Sequence, residues 1–266
     1  MSFHPRRAYA VFWKDTLDLR QNRALVASMF ALPAVLVIVP VLVAYAYLHN
    51  GDVSSLRMMA RYYQPDLSPA VAPARFLIDR TLTDWFGLYL MMPVFVPILI
   101  SSQSVAGEKE RRTLEPLLAS PVTAAELVTG KSLAAMVPAV GISLLAYGAL
   151  ALAIDWVAWP YTKQLLLPNT LWTFGVLVIA PLFAFFGNGV AVIVSARVAE
   201  ARLAQQLSAL VVLPMMGLVG GQMAGFLNAG VRYYALQAAV VLVLDVLLVW
   251  GSVRLLDRER LLSRWR

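Results

Sequence analysis

The chain has no cysteine and only two histidines, His4 and His49, among its 266 residues. The missing cysteines exclude disulfides, a thiol nucleophile and any thiolate metal site. Two histidines near the amino end argue against a histidine-based zinc or iron centre. Charge is also scarce. Ionisable Asp, Glu, Lys and Arg make up 14% of residues, where a soluble domain carries roughly 25%. Phe86 to Ala106 and Ser132 to Ile154 contain no ionisable residue. The apolar segments hold no serine–histidine or paired-carboxylate constellation, which argues against an intramembrane hydrolase.

What the chain has in excess is apolar residues, at 60%. Runs of that length place it in the membrane class, as one all-α domain over residues 1–266 with no room for a large soluble domain. Six spans are expected, at about 24–48, 86–106, 132–154, 170–195, 207–227 and 234–256. The first is too long for the h-region of a signal peptide and follows Asp15 and Asp18, so it reads as a retained span. Pro33 and Pro40 should bend it, and Pro93 and Pro97 the second. Residues 5–23 read as an interfacial amphipathic helix, with Tyr9, Phe12, Trp13, Thr16 and Leu17 on one face and Arg7, Lys14, Asp15 and Asp18 opposite. A soluble helix packed on a partner is the other reading. Residues 49–85 form the longest polar connection, with a short helix over Arg75 to Trp85.

Six spans put both termini on one side. Of the 22 basic residues, 16 fall on that side and 6 on the other. The positive-inside rule makes both termini cytoplasmic, and it explains the net charge of +7 better than nucleic acid does.

The charged loop 107–131 between the second and third spans then also faces the cytoplasm. Thr113 can cap a short helix that tolerates Pro116 in its first turn. Leu114, Leu117 and Leu118 share one face of that helix. Ser120-Pro121 ends it. Thr123 and Glu126 form a capping box that starts the next helix. Glu108, Glu110, Arg111 and Arg112 are available to pair with a partner's rim.

The run GEKERRTLEPLLASP resembles the signature loop of ABC-2-type transporter permeases, with Arg112 where that family usually has Gly. The Thr-Ala-Ala-Glu start and Gly130-Lys131 fit as well. The resemblance implies a permease subunit of a bacterial ABC exporter, multi-pass in the cytoplasmic membrane. It implies an interfacial helix before the first span, and a coupling helix in this loop docking on a separate ATPase subunit. The implied coupling residues are Glu108, Glu110, Arg111, Arg112, Thr113, Leu114, Glu115, Leu117, Leu118, Ser120 and Pro121. The implied partners are two ATPase copies, which bind the ATP and Mg, and a second permease copy or paralogue. The first, second and fifth spans would line the path between protomers.

Gly130-Lys131-Ser132 looks like the tail of a phosphate-binding loop. That motif needs a glycine where Ala125 stands and a preceding strand, so no nucleotide site, catalytic residue or cofactor is expected in this chain. Gly217, Gly221 and Gly225 recur every four residues and allow close helix approach, either within one subunit or at a dimer seam. Asp245, near the middle of the sixth span, marks either an ion or proton pathway or a packing contact, through Gln222 or Gln237. Gln103 and Asn188 are cheaper polar groups of the same kind. An ion-coupled carrier without an ATPase, and a membrane anchor or assembly factor, are the alternative functions.

Overall fold

The computed structural model describes residues 3–49, 51–68, 71–110, 122–224 and 230–263. Side chains after Ser252 fall outside the description, as do a few others within it. Helix α1 runs Pro5–Gln21, α2 Arg23–His49, α3 Val53–Tyr63, α4 Pro73–Tyr89, α5 Met92–Glu110 and α6 Ala124–Thr162. Then come α7 Thr170–Phe174, a π-helical turn Gly175–Ile179, α8 Ala180–Arg197, α9 Ala201–Ala209, α10 Val212–Met223 and α11 Val231–Ser263. No strand occurs among the described residues.

Among the described residues, six segments are long and apolar enough to cross a bilayer: Arg23–His49, Pro73–Glu108, Ala125–Thr162, Thr170–Arg197, Ala201–Met223 and Val231–Ser252. The second is the hub. Its most apolar stretch is 83% buried, against 22% for the first and sixth and 17% for the fifth. Helices in lipid gain little from hydrophobic burial against one another, so close packing and hydrogen bonds must hold them. Close packing is visible where α8 meets α5. A Cβ on Gly187 would lie 2.3 Å from the Val94 carbonyl oxygen, so only glycine fits.

Several elements begin or end away from their expected places. The second span is not one helix over 86–106. Helix α4 starts at Pro73, and the chain breaks at Leu90 and Met91 before α5. Pro93 falls in the first turn of α5, where its missing N–H costs no hydrogen bond, while Pro97 lies inside the helix. The connection 49–85 holds a helix, α3, that tucks Leu56 and Ala60 against Leu77 of α4 and exposes Met58 and Tyr62. The expected polar turn 196–206 is mostly α9, which joins α10 through Leu210 and Val211. Helix α6 has 39 residues. At 1.5 Å per residue it is about 58 Å long and outreaches the roughly 30 Å hydrocarbon layer.

The half of the bundle away from α1 is filled by aromatic rings. Phe86 packs edge-on against Trp172, with centroids 5.0 Å apart, and against Tyr234 at 4.6 Å. Tyr89 meets Trp172 at 4.9 Å, and Tyr147 stacks on it at 6.0 Å. Gly175 makes room for this cluster, since a Cβ there would sit 1.9 Å from the Phe86 ring. Gln222 of α10 accepts from the Tyr234 hydroxyl at 2.7 Å and donates to the Thr83 carbonyl at 3.0 Å. Five helices, α4, α6, α7, α10 and α11, and the π turn are thereby tied without a formal charge.

Candidate functional site: an ion-pair ring at the start of the charged loop

Helix α1 has two working faces. Ala8, Val11 and Leu19 are buried against the protein, whereas Tyr9, Trp13 and Leu17 are exposed. The exposed aromatic face is the one expected to meet the membrane interface. The buried face lies along the first turns of α6. Gly130 permits the contact: a Cβ there would lie 2.5 Å from the Ala8 carbonyl oxygen and 2.7 Å from Val11 Cβ.

The start of α6 is fixed as the spacing of Thr123 and Glu126 predicts. Thr123 Oγ1 accepts from the Glu126 amide at 3.3 Å, and Glu126 Oε2 accepts from the Thr123 amide at 2.8 Å. The second Glu126 oxygen accepts from the His4 amide at 2.7 Å, so one carboxylate starts α6 and fastens the first turn of α1 to it.

Two turns further along α1, four charged side chains close a ring. Lys14 Nζ is 2.6 Å from Glu108 Oε1, and Lys131 Nζ is 2.9 Å from Glu108 Oε2. Lys131 is also 3.2 Å from Asp15 Oδ2, and Lys14 is 3.5 Å from Asp15 Oδ1. Positive and negative groups alternate around the ring, two from α1, one from α5 and one from α6. Ser104 completes it. Its hydroxyl donates to Asp15 at 2.8 Å, while its hydroxyl and carbonyl oxygens accept from Lys131 at 2.9 and 3.0 Å. The Lys131 side chain is 4% exposed and that of Lys14 is 47% exposed, so the ring has a dry side and a wet side. Burial pulls the Lys14 ammonium downward. The hydrogen bond and field of Glu108, with the fields of Asp15 and Asp18, outweigh that and hold it above its usual value. A buried lysine is tolerated when carboxylates and oxygen acceptors surround it, as here.

Gly130-Lys131-Ser132 thus has three consecutive structural partners. Gly130 receives α1 and Lys131 joins the ring. The Ser132 hydroxyl accepts from Asn188 Nδ2 at 2.8 Å, and the Ser101 hydroxyl donates to Asn188 Oδ1 at 2.7 Å. The second tier ties α5, α6 and α8 below the ring.

Among the coupling residues named from the sequence, Glu108 and Glu110 are described. Glu108 turns into the protein and pairs with two lysines of its own chain, so it does not project as a rim charge. Glu110 is exposed, and its Oε2 lies 3.5 Å from the Ala201 amide at the first turn of α9. Arg111, Arg112, Thr113, Leu114, Glu115, Leu117, Leu118, Ser120 and Pro121 lie outside the described residues.

The intramembrane residues separate. Asn188 is buried and doubly bonded, whereas Gln103 is half-buried at the same end of α5. Asp245 is 3% exposed, and neither carboxylate oxygen has a hydrogen-bond partner among the described residues. The contact suggested through Gln222 is not formed, because Gln222 is engaged by Tyr234 and Thr83. Gly217 is exposed with nothing within 4 Å of a Cβ built on it, and so is its neighbour Gly220. Gly221 is half-buried, and Gly225 is outside the described residues. The ring itself was not foreseen. Its parts were visible as Lys14 and Asp15 on the charged face of α1 and as Gly130-Lys131, with 116 residues between Asp15 and Lys131.

A family described as "ABC-2 family transporter protein" matches residues 9–251. No curated protein matches the chain.

Proposed function

The chain belongs to the ABC-2 transporter family, and on that premise we propose that it is the permease subunit of an ATP-driven exporter. In this reading two permease domains work with two copies of a separate ATPase, one of which docks on this chain's loop after Glu110. The observation that carries it is the fixing of both ends of that loop. Glu108 holds the outgoing end in the ring, and the Thr123–Glu126 capping box holds the returning end and α1 together. A loop gripped at both ends delivers a push to the helices that a slack loop would absorb. The positive-inside count supports a cytoplasmic position for this face and for both termini, and on this reading the membrane is the inner membrane of a bacterium. Leu114, Leu117 and Leu118 supply apolar anchors, with Glu110, Arg111 and Arg112 at their rim. ATP and Mg bind the partner.

A second permease copy meets α10 in this reading. Leu213 and Met216 are 60% and 54% exposed, and Gly217 and Gly220 face open space. Such a surface lets two helix backbones approach closely.

Replacing Leu117 and Leu118 together with Ala is expected to abolish most co-purification of the ATPase while the spans insert normally. Undiminished binding would remove this loop as the coupling element. Met216→Cys in the naturally cysteine-free chain should cross-link between copies in membranes. Asp245 supports a second reading, an ion-coupled carrier, because its carboxylate is buried without a partner among the described residues. Asp245→Asn should keep transport if the side chain only packs. Loss of transport in a folded, assembled Asn variant would favour the carrier.

A further inference from the structure

We infer that Glu108 is the positioning residue that makes α1, α5 and α6 travel as one body when the charged loop moves. The inference rests on the coupling role proposed for that loop. Glu108 stands two residues before the end of α5 at Glu110, where the charged loop leaves the bundle. Its two carboxylate oxygens go to two different helices, Oε1 to Lys14 of α1 and Oε2 to Lys131 of α6. A displacement of the loop that pulls on Glu108 therefore pulls on both at once. Asp15 closes the return path between the two lysines, so neither helix can rotate without breaking a second contact.

Two further ties join α1 to α6 and leave α5 to the ring. Gly130 sets α1 against α6 at backbone contact, a fit without slack. Glu126 fastens the His4 amide at the far end of α1. Between those points the ring is the only charged tie among the described residues that joins α1 to α5. Its wet edge at Lys14 leaves one contact open to water, while the dry edge at Lys131 stays closed. A force reaching Glu108 is thus passed to α6 through the buried Lys131 and to α1 through the half-exposed Lys14. The aromatic, lipid-facing side of α1 would be carried along by the same movement.

The test uses the whole permease with its ATPase subunit. Spin labels go on the exposed Arg20→Cys of α1 and on Gly107→Cys of α5, where an added Cβ meets nothing within 4 Å, in a chain without other cysteines. The distance between them is read without nucleotide and with ATP trapped by vanadate. In the parent it is expected to be narrow and the same in both states. With Glu108→Gln it is expected to stay near the parent value without nucleotide and to shift or split when nucleotide is trapped, because α5 is driven and α1 lags. Lys14→Met, at the half-exposed edge, should give a smaller version and serves if Glu108→Gln fails to assemble. Lys131→Arg should behave as the parent. A parent distance that itself changes with nucleotide overturns the inference. So does a Glu108→Gln distance equal to the parent in both states, or one loosened equally in both, which would leave the ring as local glue. The loop reading fails separately, through a Leu117→Ala, Leu118→Ala variant that still binds the ATPase.

Discussion

At the end of the bundle that carries α1, Lys14, Glu108, Lys131 and Asp15 hold three helices by charge. Toward the other end, Phe86, Tyr89, Tyr147, Trp172 and Tyr234 hold the helices by ring contacts and neutral hydrogen bonds. The difference follows from where water reaches. An ion pair needs a wet edge to limit its desolvation cost, and Lys14 provides one. Away from such an edge, a neutral tie such as the buried Tyr234–Gln222–Thr83 chain avoids that cost. The two halves also fail differently. Removing one charge strands its partner, whereas truncating one ring leaves a void that neighbours partly fill.

The largest expected effect comes from Lys131→Met, which leaves two carboxylates without their buried counter-ion. It should destabilise the permease by about 3–5 kcal/mol, read as a lowered melting temperature in detergent. A neutral result would mean that the ring holds nothing. Phe86→Ala tests the other half. Ring truncation in a core typically costs about 3–5 kcal/mol, and lipid removes part of the transfer term, so about 3 is expected. If Phe86→Ala exceeds Lys131→Met, the comparison is reversed. Gly130→Ala should cost about 2 kcal/mol by forcing α1 away from α6. Faster tryptic cleavage at the exposed Arg20 would report it. Tyr234→Phe is the mildest change. It removes one hydrogen bond and should cost about 1 kcal/mol, with the aromatic cluster otherwise kept.

The spans were legible in the sequence because apolar runs of that length have one common explanation, and the Thr123–Glu126 box because its partners are three residues apart. The ring was not, because its members are brought together by the packing of three helices. Helix α3 was hidden by its composition. Arg57, Arg61 and two serines made Val53–Tyr63 look like loop, although Leu56 and Ala60 at four-residue spacing carried its buried face. The helix read over Arg75 to Trp85 is the body of α4; its charges, Arg75, Asp79, Arg80 and Asp84, obscured only its continuation into the second span, and Arg80 and Asp84 pair one turn apart at 2.9 Å. Gly130-Lys131-Ser132 was legible as a motif and silent about its use. Nothing in three adjacent letters says that they meet α1, α5 and α8 between them.

The π turn at Gly175–Ile179 sets the phase of everything after it in that span. Five residues wound with one extra residue per turn absorb a step that an ordinary helix would pass on. Wound as plain α-helix, the same stretch would turn α8 by about 100° and advance it about 1.5 Å. Asn188 would then point away from Ser101 and Ser132, and Gly187 would leave the Val94 carbonyl it lies against. Two contacts many ångströms from the wide turn therefore depend on one surplus residue. Deleting a single residue there and deleting one from the regular helix beyond it are different operations: the first straightens the helix and keeps its aim, and the second misdirects it.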